Sequence, residues 1–473
     1  NCADILFFFL RSGEKAKMET FMVYIEVAFS NLMVEDSVIG KLLNRLLSMD
    51  TKEIYGTLEN NSLGISDTKE LFTLEEAMAA MFAGNAVLFV DGYDRAIKIG
   101  SKGYPGSGVQ KTDSEKGLRG SKEAFSESVK MNTALIRKRI RNAKMKAEEK
   151  QVGRYSATTT ALLYLDGVVY QPICEEMRKR LNAFEVDGIE DSGMIEYLTR
   201  KKKEGRFPVY QTTERPDRAA QAILEGRVVL LTDNSPEALI FPATLNSLFQ
   251  TADDYYRNER IVTFLRLIRY VAAFLALALP GLYVAAATFH PQLLPGNLIR
   301  SMAEARSGVP FPTAAEVLLM ELSFELLREA GLRMPGPAGN TIGIVGGLIV
   351  GQAAVSANLV SPITVTVAAL TALGSFSIPN EELSEVFRLW KYGILLLGSC
   401  FGILGVMLGC FLLLMLMAEQ ESYGIPWLYP YVGGNLNERA DEKDSMFLAA
   451  ARKRKSRPIF AKWGNRIRFR RKS

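Results

Sequence analysis

The fold of this chain is decided by residues 394–417, ILLLGSCFGILGVMLGCFLLLMLM. This stretch lies inside a longer run, residues 392–418, that contains no Asp, Glu, Lys or Arg. A helix needs about 20 apolar residues to cross the hydrocarbon core of a bilayer. The stretch therefore predicts one long membrane-spanning helix.

Two further runs without charged residues precede it, at residues 270–299 and 334–380. The first run fits one span over residues 267–289, and the second is long enough for two spans with a turn near residues 356–362. Three such runs in one half of the chain leave no amphipathic surface to face water, which argues against a soluble core. We therefore expect an α-helical polytopic membrane domain.

A fifth helical segment, residues 313–330, carries Glu316, Glu321 and Glu325 among other charged residues. Because charges are costly inside lipid, we expect this helix to lie at the interface, to enter the membrane partly, or to face a watery cavity. In that last setting the three carboxylates form an acidic vestibule that favours cations. A solvated amphipathic helix between spans is the simpler alternative.

Basic residues predict the orientation of the spans. Arg266 and Arg269 precede the first span, and residues 445–473 contain eleven basic residues and no acidic one. Positively charged flanks stay in the cytoplasm, so the number of crossings should be even. We expect four crossings, with the glutamate-bearing helix outside the membrane. If that helix crosses, another segment must be re-entrant.

Two series of glycines in the apolar runs recur at intervals of four residues. Small residues at this spacing let helix backbones approach closely in lipid, so both series predict helix packing. The glycines are Gly343, Gly347, Gly351, Gly398, Gly402, Gly405 and Gly409.

A partly polar stripe lies opposite the first glycine series. Gln352 follows Thr341 by three helical turns, so the two share a face. Such a stripe could line a pore, or its polar groups could bond neighbouring helices to each other. The stripe consists of Thr341, Val345, Leu348, Gln352 and Ser356.

The first half of the chain reads as soluble and contains a diverged repeat. FMVYIE at 21–26 resembles ALLYLD at 161–166, and GNAVLFVDG at 84–92 resembles GRVVLLTDN at 226–234. Each copy reads as a strand, one or more helices and a hairpin with Asp-Gly or Asp-Asn turn chemistry. We predict an α/β soluble region of two similar subdomains.

Residues 121–150 read as a long basic helix that joins the two subdomains. Such a helix is a candidate for binding nucleic acid or a membrane surface or for bridging subunits, and a solvated bridging helix is the simplest interpretation. The predicted parts of the chain are subdomain 1 at 1–115, the connecting helix at 116–150, subdomain 2 at 151–260, the membrane domain at 261–420 and a basic cytoplasmic tail at 421–473.

The residues that carry most enzyme chemistry are scarce. The chain has one histidine, and its four cysteines form no CxxC pair. No phosphate-binding loop, metal-binding motif or paired nucleophile and base can be assembled. We therefore expect no enzyme activity, no cofactor, no metal and no nucleic acid. The chain starts without Met, and we expect it to be part of a longer reading frame.

Several stretches together resemble one protein family, the GerA family of spore germination proteins, over nearly the whole chain. They are RG at 119–120, FSES at 125–128, NTALIRKRIR at 132–141, TERPDR at 213–218, DDYY at 253–256, FHP at 289–291, GVPFP at 308–312, GIVGG at 343–347, GQAAV at 351–355 and VSP at 360–362. One departure is VAF at 27–29, where the family pattern has a glycine-bearing strand end.

The resemblance implies the A subunit of a nutrient germinant receptor in the inner membrane of the spore, with its soluble region in the cytoplasm. Such a subunit works with a transporter-like B subunit that senses nutrient and with a lipoprotein C subunit. It is expected to form homo-oligomers in the lipid and to conduct ions when nutrient binds. The alternative is a non-conducting scaffold that couples sensing to a separate channel. A related subgroup works with the dipicolinate channel.

Overall fold

The computed structural model describes residues 2–12, 18–26, 51–59, 67–100, 112, 115, 117, 119–201, 204–332, 337–432, 443–462, 464 and 467. Within helices and strands, the side chains of residues 10–12, 18, 51, 54, 58–59, 332, 337–345, 348 and 451 are outside this description. Contacts divide the chain into two compact units. The first comprises residues 1–200, 210–242 and 454–473, and the second comprises residues 201–209 and 243–453.

The first unit contains two five-stranded antiparallel sheets with the same strand order. In the first sheet the order is β1-β2-β4-β5-β3, and in the second it is β6-β7-β9-β10-β8. The strands of the first sheet are β1 Ile5–Ser12, β2 Met18–Ile25, β3 Thr68–Leu71, β4 Ala86–Val90 and β5 Ala96–Ile99. Those of the second are β6 Met145–Val152, β7 Thr158–Leu165, β8 Gln211–Thr213, β9 Val228–Thr232 and β10 Ala238–Phe241.

The register of the two sheets follows the sequence repeat. Tyr24 lies on β2 and Tyr164 lies on β7, which occupy the same position in their sheets. Met22 lies opposite Leu88 in the first sheet, as Leu162 lies opposite Leu230 in the second. The shared order and register show that the two repeated segments fold alike.

Short helices accompany the strands of each sheet. They are α1 Thr51–Glu59, α2 Leu74–Phe82, α3 Val129–Arg137, α4 Gln171–Leu181, α5 Ser192–Thr199 and α6 Pro216–Glu225. Helix α6 ends at Gly226, whose φ of 94° is readily adopted only by glycine. Strands β9 and β10 are buried at every residue, because side chains cover both faces of the sheet there.

The predicted basic helix over residues 121–150 is wrong. Helix α3 ends at Arg137, and β6 begins at Met145. Apolar and polar residues alternate at the start of β6, which is the period of a strand with one buried face. One of the basic residues of the predicted helix is also not solvated, since Arg137 is fully buried and donates to both carboxylate oxygens of Asp4, at 2.6 and 2.9 Å.

The second unit is a helical bundle with a small capping hairpin. Its helices are α7 Leu245–Leu248, α8 Glu259–Thr288, α9 Gly296–Arg306, α10 Thr313–Leu332, α11 Pro337–Ser356, α12 Pro362–Phe376 and α13 Glu381–Glu419. Strands β11 Glu421–Ser422 and β12 Ile425–Pro426 form the hairpin, and Trp427 beside it is fully buried. Residues 421–432 thus belong to the folded bundle, although the sequence predicts a tail there.

Two helices among the described residues, α8 and α13, are long and apolar enough to cross a membrane, and α12 is a shorter apolar helix. The predicted turn near residues 356–362 is present, because α11 ends at Ser356 and α12 begins at Pro362. The helical form of all the predicted spans is therefore confirmed.

The interpretation of residues 394–417 as one uninterrupted span is wrong. Gly402 has a φ of 64° and a ψ of −144°, a non-helical conformation that splits α13. The halves fold back on each other, since a Cβ at Gly405 would collide with Leu397 and one at Gly409 would lie 2.9 Å from Ile394. Glycine is almost the only residue that adopts this conformation, so the apolar stretch becomes a helical hairpin.

Successive long helices of the bundle alternate in direction. Helix α8 approaches residues 394–398 through Gly281 and reaches the Gly402 kink through Phe289, so it runs parallel to the first half of α13. Tyr283 lies near Thr364 and Ala272 lies near Gly374, so α12 runs antiparallel to α8. Residues 403–419 then return in the opposite direction to residues 381–401.

Gly402→Ala should destabilise the bundle by about 1–3 kcal/mol, because this backbone conformation strains any residue with a Cβ. The added methyl would also lie 2.8 Å from His290 and 3.0 Å from Phe289. The measurement is thermal unfolding of the purified full chain in detergent.

The matched control is Gly393→Ala in the same helix, where a Cβ would meet no heavy atom within 4 Å. This variant should be stabilised by up to about 1 kcal/mol, because alanine favours helix interiors. Equal stabilities for the two variants would contradict the kink.

Candidate functional site

The candidate site is a seam of ion pairs between α10 and the first half of α13. Three pairs connect the two helices, and we call them the ladder: Glu321–Lys391, Glu325–Arg388 and Arg328–Glu381. Residue numbers rise on α10 as they fall on α13, so the helices are antiparallel. Spacings of three, four and seven residues place each set of charges on one helix face.

The Glu321–Lys391 pair is the most buried rung of the ladder. Lys391 Nζ donates to Glu321 Oε2 at 2.6 Å, and the side chains are 6% and 2% exposed. Burying two charges is costly, and either one alone would be far costlier. This pair therefore depends on both partners being present and correctly placed.

Several polar atoms along the ladder are buried without a protein partner among the described residues. They are Glu321 Oε1, Arg328 Nη1, Arg388 Nε and Tyr392 Oη. Unsatisfied buried polar groups are uncommon in folded proteins, and they concentrate at functional sites. The seam therefore keeps unused hydrogen-bonding capacity in an otherwise apolar bundle.

Glu316 anchors α10 at the end away from Arg328. It is fully buried and accepts hydrogen bonds from Ser361 N at 2.9 Å and Thr364 Oγ1 at 3.1 Å. Arg306 Nε donates to its other oxygen at 3.1 Å. These bonds fasten α10 to the first turn of α12.

The structure corrects the acidic vestibule expected from Glu316, Glu321 and Glu325. Each carboxylate is paired with a cation of the same chain, and the first two are buried. The expectation of a solvated helix fails as well, because Val317 and Met320 are buried against neighbouring helices. The sequence pattern missed the pairing because the cations lie far away along the chain.

The glycines of α11 pack inside the chain. A Cβ at Gly347 would lie 3.2 Å from Phe324 of α10, and one at Gly351 would lie 3.1 Å from Val365 of α12. Gln352 and Ser356 are exposed. The side chains of Thr341, Val345 and Leu348, and the surroundings of Gly343, lie outside the described residues. The assignment of this stripe to a pore therefore stays a prediction.

The remaining glycines lie at close contacts or at the kink in the helical hairpin of α13. Gly398 lies against Gly281 and Val406, and Gly405 and Gly409 lie against the opposite half of the hairpin. Gly402 forms the kink and does not lie within a continuous helix. These contacts join segments of one chain.

A second charged cluster lies at the start of α8. The Asp254 carboxylate accepts hydrogen bonds from Arg266 Nε at 3.0 Å and from Arg269 Nη1 at 2.9 Å. Arg266, which is 1% exposed, also contacts Asp444 at 3.0 Å. The two arginines used to orient the first span are thus neutralised by carboxylates within the fold.

Burial by itself would raise the pKa of the Asp254 carboxyl. The hydrogen bond and positive charge of Arg269, with the charge of Arg266, outweigh burial and hold that pKa below its usual range. Asp254 therefore stays ionised and fastens the short 3-10 turn before α8 to the helix.

Within the described residues, no three His, Cys, Asp or Glu side chains meet in a way that could hold a metal ion.

The chain is similar to known proteins over most of its length. The family model for the Bacillus/Clostridium GerA spore germination protein matches residues 1–460. The chain is 36% identical to the uncharacterized membrane protein YfkQ of Bacillus subtilis over 95% of its length and 86% of that protein. It is 33% identical to spore germination protein KA of B. subtilis, over 90% of the chain and 78% of that protein.

One further relative and one solved structure complete the comparison. Spore germination protein A1 of B. subtilis is 34% identical over 86% of this chain and 84% of its own. The crystal structure of the N-terminal domain of the A subunit of the Bacillus megaterium spore germinant receptor GerK3 matches 52% of this chain and 90% of its own. It does so at 25% identity with a TM-score of 0.38.

The chain has an α/β unit followed by a bundle with long apolar helices. These two features define a class of protein that contains a soluble part and helices able to cross a membrane. The family match identifies the member of that class. The chain belongs to the GerA family of spore germination proteins.

Lys391→Met should destabilise the second unit by about 3–5 kcal/mol, because it leaves the Glu321 carboxylate buried without a counterion. The double variant Glu321→Gln/Lys391→Met should recover most of that loss, since it removes both charges. Thermal unfolding of the full chain in detergent measures both changes.

Arg206→Met is the control for loss of a cation, because Arg206 forms an exposed pair with Glu419 at 2.9 Å. That variant should change stability by less than about 1 kcal/mol. A Lys391 variant as stable as this control would show that the buried pair contributes little.

Asp254→Asn should lower stability by about 2–3 kcal/mol at pH 7, because charge-assisted hydrogen bonds are lost. The folded pKa of Asp254 is depressed, so its contribution is present above the unfolded value of about 3.9 and disappears as pH falls through the folded pKa. The difference between variant and wild type should therefore shrink below pH 4. Unfolding measured across this pH range tests the prediction.

Asp253→Asn is the matched control, because Asp253 pairs more loosely with Arg257 at 3.4 Å. It should cost less than about 1 kcal/mol at pH 7. A pH-independent difference between the Asp254 variant and wild type would contradict the argument.

Proposed function

We propose that this chain is the A subunit of a spore germinant receptor that forms a nutrient-gated path for monovalent cations in the spore inner membrane. The observation that carries the proposal is the ladder of ion pairs between α10 and α13, and above all its buried Glu321–Lys391 pair. Ionisable residues within such helices are costly, and where they occur they commonly mark ion paths. The relatives named as spore germination proteins supply the setting.

We propose six crossings of the membrane, two more than the sequence alone predicts. They are α8, α10, α11, α12 and the two halves of α13. Support comes from the alternating directions of these helices and from the kink at Gly402, which turns one apolar stretch into two passes. Six is an even number, so the soluble unit and the basic C-terminal region still lie on the same, cytoplasmic, side.

The proposed conducting form is a homo-oligomer in the lipid. Support comes from Gln352 and Ser356, which are exposed polar residues on the apolar helix α11. In a ring of subunits this face would turn toward a central path, while Gly347 and Gly351 hold α11 to its own chain.

The partners are a transporter-like B subunit, which senses nutrient, and a lipoprotein C subunit. Membership of the GerA family supports a multi-subunit assembly.

A non-conducting scaffold is the second candidate function. Two observations favour it: the glycine contacts of α11 and α13 are satisfied within one chain, and the ladder is electrically neutral. A scaffold would transmit the nutrient signal to a channel formed by other proteins. Nutrient-dependent cation flux in liposomes that hold the chain together with the B and C subunits separates the two functions, because an exchange in the lining face of α11 changes that flux only if this subunit forms the path.

Gln352→Leu should leave assembly intact and reduce cation flux several-fold, because an apolar constriction excludes water and ions from a pore. The measurements are oligomer size in detergent and release of K⁺ from loaded liposomes. Gln292→Leu, the same exchange at an exposed residue outside the long helices, is the control and should conduct normally.

Loss of the oligomer in the Gln352 variant would show that this side chain bonds neighbouring helices and does not line the path. Unchanged nutrient-dependent K⁺ release in the Gln352 variant, with the oligomer intact, would favour the scaffold.

A further inference from the structure

The acidic residues of α10 are spaced for more than one register of the ladder. Glu321, Glu325 and Glu329 follow one another at intervals of four residues, so each lies about one turn beyond the last on the same face. Lys391 and Arg388 on α13 are also about one turn apart. Because the helices are antiparallel, a displacement of one turn, about 5.4 Å, brings each cation opposite the next carboxylate.

Only one direction of displacement keeps all the cations paired. If residues 381–401 move one turn toward the C-terminal end of α10, each cation of the ladder meets a new acid. The new pairs are Lys391–Glu325, Arg388–Glu329 and Arg328–Glu385. Movement the other way would place Lys391 opposite Val317 and Arg328 opposite Ser377, where neither cation meets a carboxylate.

The contacts around the ladder group the helices into two parts, which stay joined where Ser384 Oγ of α13 donates to the Ser375 carbonyl oxygen of α12 at 3.1 Å. Glu316 fastens α10 to α12 through Ser361 and Thr364, whereas Gly281 and Gly398 bring α8 into close contact with α13. Between these parts α12 meets α8 through small residues, with Gly374 against Ala272 and Ala276. These small residues let the two backbones approach closely, while Tyr283 of α8 meets Thr364 of α12 at 3.4 Å nearer the other end, and a slide must shift both contacts.

A buried apolar cluster opposes displacement from the register seen in the structure, which we call the resting register. Val317 packs with Val284 and Leu395 in a small buried apolar cluster. A slide must exchange these neighbours, so the two registers are separate states with a barrier between them. A one-turn displacement of one packed element past another is an established form of switching in proteins.

We propose that the ladder is a one-turn sliding switch that releases the Glu321 carboxylate as a site for a monovalent cation. In the shifted register Lys391 has moved to Glu325, and Leu395 lies opposite Glu321. Glu321 Oε1 is already buried without a hydrogen-bond partner in the resting register, at 2% exposure of the residue. The carboxylate then attracts a cation to replace the lost ammonium group. The inference rests on the proposed function, since it assigns the gate of that ion path.

The decisive variant exchanges the charges of one rung, Glu321→Lys/Lys391→Glu. The resting pair is kept with its polarity reversed, so the receptor should assemble normally. In the shifted register residue 391 would be a carboxylate opposite Glu325, and like charges would block the slide. Spores carrying the full receptor are exposed to a mixture of L-amino acids, glucose and inosine, and K⁺ release and oligomer size are measured. We expect normal assembly with K⁺ release reduced at least tenfold.

The matched control exchanges the charges of Arg206 and Glu419, a pair in the same unit that is not part of the ladder. This control should release K⁺ like wild type. If the ladder variant assembles and also releases K⁺ like wild type, the sliding switch is wrong and the pair is only structural. If wild-type receptor itself causes no K⁺ release, the proposed function fails first.

A second variant is needed if the receptor with the exchanged charges does not assemble. Glu329→Gln removes the carboxylate that Arg388 reaches only in the shifted register and leaves the three resting pairs in place. It should assemble and slow K⁺ release several-fold, whereas Glu304→Gln, at an exposed residue of α9, should not. Unchanged release in the Glu329 variant would overturn the switch.

Discussion

The buried pair between Glu321 and Lys391 is the constraint on which the helical unit depends. An ionised group among apolar helices is tolerated only when an opposite charge meets it at hydrogen-bond distance, here 2.6 Å. That requirement sets the register of α10 against α13, and the rungs at Arg388 and Arg328 follow from it. The orientation of α10 is thereby determined by a partner some seventy positions away along the chain.

A single glycine decides the shape of the longest apolar stretch. Gly402 allows a backbone conformation that side-chain-bearing residues avoid, and the chain reverses there. Gly398, Gly405 and Gly409 then let the two halves lie against each other and against α8 without side chains between them. The kink therefore lets residues 403–419 return along residues 381–401, which carry one side of the ladder.

In the soluble unit, the two sheets have the same strand order. Both sheets place their long first two strands at one edge and the short third strand at the other. Arg137 links the copies, because it lies on α3 beside the second sheet, pairs with Asp4 before β1 and lies 5.7 Å above the ring of Phe82. The family motif over residues 132–141 thus includes a buried structural arginine, which a count of its basic residues alone would assign to solvent.

The sequence by itself determined the class of the fold, the repeat in the soluble unit and the helical nature of every apolar run, because local periodicity and composition carry that information. It also determined the family, through motifs read in order along the chain. Tertiary structure alone decided which charges meet. The carboxylates of Glu316, Glu321 and Glu325 suggested an open acidic surface, and residues 121–150 suggested a basic helix, because a sequence pattern shows only one partner of each ion pair. Arg306, Lys391, Arg388 and Asp4 supply the other partners, and folding alone brings them within hydrogen-bond distance.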